Sequence, residues 1–150
     1  MTFWIRKIKW SSVLLCGVIY TVIAEVIHEV EAVVMMNYYK MPEYFGVWSK
    51  LMMPSAGPPP ANFFIVSLIL TFVTGISLAL VYYYVQEMLP KKFWKRVAFF
   101  ADLMIATSFV FMTLPSYLMF NLPWQLLVSW FVSSFVILVG ASYTFVRFIN

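Results

Sequence analysis

Glu25, His28, Glu29 and Glu31 stand together inside one long apolar run, and they are the residues whose types and spacing can do chemistry. On a helix turning about 100° per residue, Thr21, Glu25, His28, Glu29, Ala32 and Met36 share one stripe, and Glu31 is expected to point away from it. Glu25-x-x-His28 has the i, i+3 spacing at which di-iron carboxylate bundles turn Glu and His inward together. Such sites use two of these elements and further Glu residues. The chain has one His, so a complete site requires two copies facing each other.

A second metal reading joins His28 to the thioethers of Met35, Met36, Met41, Met52 and Met53, a soft donor set suited to Cu(I). Taken together, the metal expectation is a transition metal held by Glu25, His28, Glu29 and Met36. A plainer reading makes the Glu–His group a hydrogen-bonded network that fixes helix register or an oligomer interface, with the methionines filling gaps. A proton or cation relay is the remaining alternative. Whichever holds, the stripe cannot face lipid. One ionised carboxylate at mid-membrane costs about 2.5–3.5 kcal/mol, so two oppose insertion by about 5 kcal/mol. Glu25, His28 and Glu29 are therefore expected to face the bundle interior or to line a polar cavity toward the outer face.

The membrane setting follows from composition. Of 150 residues, 63% are apolar, 20% aromatic and only 11% charged, with mean hydropathy +0.89. Soluble domains carry about 25% charged residues. That difference excludes a soluble enzyme, a nucleic-acid-binding module and a disordered tail. One integral membrane domain over residues 1–150 is expected, with the lipid bilayer as its partner and no nucleic acid. The single cysteine, Cys16, excludes an intrachain disulfide and a Cys-based zinc site.

Four apolar runs are long enough to span, at about 11–36, 62–88, 97–120 and 124–147. The first follows basic residues, as a signal peptide does. It lacks a small-residue cleavage site and is expected to remain as an uncleaved span. Arg6, Lys7, Lys9, Lys91, Lys92, Lys95, Arg96 and Arg147 flank one side of these runs, against Lys40 and Lys50 on the other. The positive-inside bias then predicts a multi-pass cell-membrane protein with both termini cytoplasmic. Trp4, Trp10, Trp94 and Tyr82–Tyr84 fall at the inner interface of that arrangement, and Tyr38, Tyr39, Trp48, Tyr117 and Trp124 at the outer one.

The connections carry their own signals. Asn121-Leu122-Pro123 leaves only a tight turn between the last two spans. In the long first connection, Tyr44, Trp48, Leu51 and Met52 recur at helical spacing, which predicts an outer interfacial helix over Pro42–Met53. The Gly57-Pro58-Pro59-Pro60 strap follows it, and the segment is expected to act as a lid or as a passive collar. Ser67, Thr71 and Gly75 form one small-residue stripe, and Ser129, Ser133 and Gly140 a second; both predict helix–helix contact faces. Pro115 frees the carbonyl of Phe111 and should bend the third span. Asp102 is expected to pair with tyrosine hydroxyls, Lys95 or Arg96.

Met41-Pro42, Trp48, Met53-Pro54, Gly57-Pro58-Pro59-Pro60, Leu122-Pro123 and Trp130 give residues 41–147 an outline that resembles small four-helix prokaryotic integral membrane proteins of uncharacterised function. The resemblance implies four spans and brings no activity. The sequence thus predicts an all-α, four-transmembrane-helix bundle with a short outer interfacial helix. It is expected to self-associate or to dock onto a larger membrane complex. Its expected role is a non-enzymatic bundle or accessory subunit, the alternative being a metal- or proton-handling transporter or a dimeric membrane metalloprotein.

Overall fold

A chain this apolar has to satisfy its backbone N–H and C=O groups internally, and long helices do so within each segment. The computed structural model describes residues 8–55 and 58–149; the expectations placed on Trp4, Arg6, Lys7 and Gly57 lie outside the described residues. Six α-helices run α1 Trp10–Val34, α2 Met36–Tyr39, α3 Ala61–Val85, α4 Phe93–Ser108, α5 Leu114–Met119 and α6 Trp124–Phe148. Short 3-10 turns occupy Pro42–Val47 and Gln86–Met88, and a π-turn, Phe109–Thr113, joins α4 to α5. The described residues contain no strand. Four helical stretches are long and apolar enough to cross a membrane: Trp10–Val34, Ala61–Met88, Phe93–Met119 and Trp124–Phe148.

α1 is the middle helix. It packs along α3 on one side and α6 on the other, and α6 in turn packs along α4. The α1–α3 approach depends on two glycines. A Cβ on Gly75 would stand 2.8 Å from the Tyr20 ring, and one on Gly17 would stand 2.9 Å from Ile76. Helices in lipid associate through such close contact, because burial there brings no hydrophobic gain.

The two ends of the molecule differ. At the end holding the Pro90–Arg96 connection, Tyr82 of α3 meets Phe100 of α4 and Phe145 of α6, with ring centroids 5.2 and 6.2 Å away. All three rings are buried in the main core with Val13, Cys16, Ala79 and Ala141. Toward the other end, which holds the long first connection, a cavity lies among the spanning helices. A second, smaller core of Tyr39, Met53 and Leu126, with Trp48 and Trp130 against it, closes that end.

The long connection corrects one expectation. The helix foreseen over Pro42–Met53 is present only as the 3-10 turn Pro42–Val47. Trp48 is extended, at φ −74° and ψ 141°. Its indole N–H donates to the carbonyl of Tyr39 at 3.1 Å, and its ring packs on Tyr39 and Trp130. Tertiary contacts of one Trp override the helical spacing around it. Beyond, Pro60 takes a polyproline-like φ −74°, ψ 160° and leads into α3.

Pro115 acts as its chemistry requires, with a specific outcome. It lacks the N–H that would bond the Phe111 carbonyl, and the backbone just before it widens into the π-turn. Asp102 is exposed on α4, and among the described residues neither a tyrosine hydroxyl nor Lys95 or Arg96 pairs with it.

Candidate functional site

The cavity has a volume of about 750 Å³, and every spanning helix contributes to its wall. α1 supplies Glu25, His28, Glu29, Glu31 and Ala32. The long connection supplies Met36, Lys40, Met52, Met53, Pro58 and Pro59. α3 contributes Phe63, Phe64 and Ser67, and the π-turn and α5 contribute Met112, Thr113 and Ser116. α6 completes the wall with Leu127, Trp130, Ser133 and Ser134. The space is thus apolar and aromatic over most of its surface, with its acids gathered on α1.

Glu25, the deepest of the acids along α1, is half-buried. The hydroxyls of Thr71 and Ser67 donate to its Oε1 at 2.9 and 3.2 Å. The small-residue stripe of α3 therefore has two roles. Gly75 admits Tyr20, while Thr71 and Ser67 hold the carboxylate. Among the described residues no donor reaches Glu25 Oε2. His28 and Glu29 line the cavity about one turn further along and are exposed.

Glu31 adds to the sequence reading. It points away from the stripe, as expected, yet it lines the same cavity and is the most buried of the acids, 9% exposed. Ser129 donates to its Oε1 at 2.7 Å and Tyr39 to its Oε2 at 2.9 Å. The indole N–H of Trp130 donates to the Tyr39 oxygen at 2.6 Å. Glu25 and Glu31 lie about 120° apart around α1. A helix with one neighbour buries one such direction. α1 has two neighbours, so Glu25 turns to the hydroxyls of α3 and Glu31 to those of α6.

Tyr39 lies outside the spans, and its hydroxyl is held well above its ordinary pKa. Burial is the main cause, and the Glu31 carboxylate beside it adds to the effect, while the Trp130 N–H opposes it. The tyrosine therefore stays protonated and donates to Glu31. Sequence reading missed Tyr39, Ser129 and Trp130 as partners of an acid. The only signal was the Ser129–Ser133 stripe, which by itself indicated a packing face.

As for the metal readings, Glu25, His28, Glu29 and Met36 all line the one cavity, as do Met52 and Met53. Met35 instead packs into the small core beside Tyr39, Met53 and Leu126. Among the described residues, no three His, Cys, Asp or Glu side chains are gathered to hold a metal ion. Cys16 is buried away from this cavity, its thiol directed at the Thr144 carbonyl 4.0 Å away.

The fold and the site together define an all-helical protein with four helices apolar enough to cross a membrane and an acid-walled cavity between them. No family model matches the chain, and no curated protein or solved structure is significantly similar to it.

Proposed function

We propose that the protein is a non-enzymatic, multi-pass cell-membrane bundle or accessory subunit whose cavity binds an amphiphile with a cationic head. The observation that carries this reading is the division of the cavity wall. Three carboxylates and His28 stand on one helix with a single lysine, Lys40, against an otherwise mainly apolar lining. The volume of about 750 Å³ lies within the range of small-molecule sites. Glu31 has both oxygens engaged and serves the fold. Glu25 Oε2 and Glu29 remain to meet a positive head, and Phe63, Phe64, Met112 and Leu127 accept its chain. The concentration of Lys and Arg at the other end of the bundle supports an orientation with both termini cytoplasmic and the cavity toward the outside.

The test is thermal unfolding of the full chain in a non-ionic detergent with dodecylamine or dodecanol added. Dodecylamine should raise the Tm and dodecanol should not, and Glu25→Gln should abolish the difference. Equal shifts from the two additives, or an undiminished dodecylamine shift in Glu25→Gln, would overturn the reading. Met36, Met52 and Met53 beside His28 favour a second reading, a soft transition metal. Stoichiometric copper in the purified protein, lost in His28→Ala, would put that reading in place of the first.

A further inference from the structure

The end of the molecule opposite the acid-walled cavity holds a smaller space of reversed charge. It encloses about 170 Å³ where α4 begins and α6 ends, and its lining is Lys91, Phe93, Arg96, Val146 and Arg147. Among the described residues its lining holds three cations and no carboxylate. Cations held this close repel one another, and an anion placed among them offsets that repulsion.

The local backbone adds to the same field. Arg96 donates its Nε–H to the carbonyl of Pro90 at 2.9 Å, which fixes the guanidinium in the wall of this space. α4 starts at this point with Lys92 at the N-cap position and no side-chain cap. Its first-turn N–H groups therefore keep their partial positive charge beside the cations.

We propose that this cavity holds the phosphate of an anionic phospholipid. Its surroundings select a lipid over a free anion. Phe93, Trp94 and Tyr143 form a cluster of touching rings, with centroids 5.1, 5.6 and 5.9 Å apart. Trp94 and Tyr143 present 69% and 44% of their surfaces to the outside. Such rings settle at the headgroup level of a bilayer, and basic pockets between spanning helices at that level take lipid headgroups. Inorganic phosphate meets the same cations and gains nothing from the rings. A zwitterionic headgroup sets its own ammonium against three positive side chains.

Native mass spectrometry of the full chain, stripped of lipid in mild detergent, tests the assignment. Phosphatidylglycerol should be retained in preference to phosphatidylcholine. Lys91→Gln and Arg147→Gln remove exposed side chains, and each should weaken phosphatidylglycerol binding roughly fivefold, while Lys50→Gln at the opposite end leaves it unchanged. Equal retention of the two lipids, or full phosphatidylglycerol affinity in the Lys91→Gln/Arg147→Gln double variant, would overturn the proposal. So would inorganic phosphate raising the Tm as much as phosphatidylglycerol, since the site would then be one for a free anion. If a variant fails to fold, the lipid preference and the phosphate arm of the unaltered chain still decide.

Discussion

A buried tyrosine stands at each end of the bundle, and the two are held in opposite ways. Tyr82 is 0% exposed and lies between Phe100 and Phe145; among the described residues its hydroxyl makes no hydrogen bond of good geometry, although the Arg96 guanidinium lies near it. Tyr39 is nearly as buried, and its hydroxyl both donates to Glu31 and accepts from Trp130. One end is closed by ring packing, in which the polar atom is incidental. The other is closed by a polar chain, in which the hydroxyl is the link. The lesson is positional. At the first end rings of three helices pack on one another, whereas at the second the Glu31 carboxylate links α1 to α6 and to the long connection beside the cavity.

Three predictions bear on that contrast. The largest effect belongs to the packed end. Phe145→Ala should cost about 3–5 kcal/mol, read as a lower midpoint in denaturant or thermal unfolding. A loss no greater than that at the polar end would break the distinction. Next comes Glu31→Ala, which leaves Tyr39 and Ser129 without their acceptor and should cost about 2 kcal/mol. Glu25→Gln keeps an acceptor for Thr71 and Ser67 and should cost less than about 1 kcal/mol, so equal losses would erase the difference between a structural and an available acid.

The two hydroxyls themselves give a further pair of effects, the smallest at Tyr82. Tyr39→Phe should lose about 1 kcal/mol, and Tyr82→Phe should lose nothing or gain a few tenths. A pH titration of stability sharpens the pair. The unfolded Tyr39 ionises near its ordinary 10.0, and the folded one ionises higher. Above pH 10 the unfolded state therefore holds fewer protons, and stability falls as pH rises. The Tyr39 contribution is fully present below that pH and is lost as pH climbs through the folded value. Tyr39→Phe should remove that part of the alkaline loss in a plot of unfolding free energy against pH.

The sequence made the spans legible because long apolar runs, Pro123 and the paired Lys–Arg clusters are local signals. The ends of α1, α3 and α6 lie within a few residues of where hydropathy put them. Glu25, His28 and Glu29 were readable as one stripe because helical geometry alone fixes it. Glu31 was not, because its direction became useful only once α6 lay on the second side of α1. Trp48 was misread for the same kind of reason. Its spacing suited a helix, and its partners, Tyr39 and Trp130, are nine residues back and eighty-two ahead. The break before Pro115 was foreseen as a bend, but residue type alone does not say whether a freed carbonyl bends a helix or widens it.

That widening has its own consequence. A π-turn is one surplus residue in a regular coil, and it shifts the facing of every residue beyond it relative to those before it. One residue corresponds to about 100° of rotation. Ser108, Met112 and Thr113 flank or occupy the turn, and all three line the cavity. The third span thus owes to one extra residue the direction in which Ser108, Met112 and Thr113 enter the wall shared with the acids.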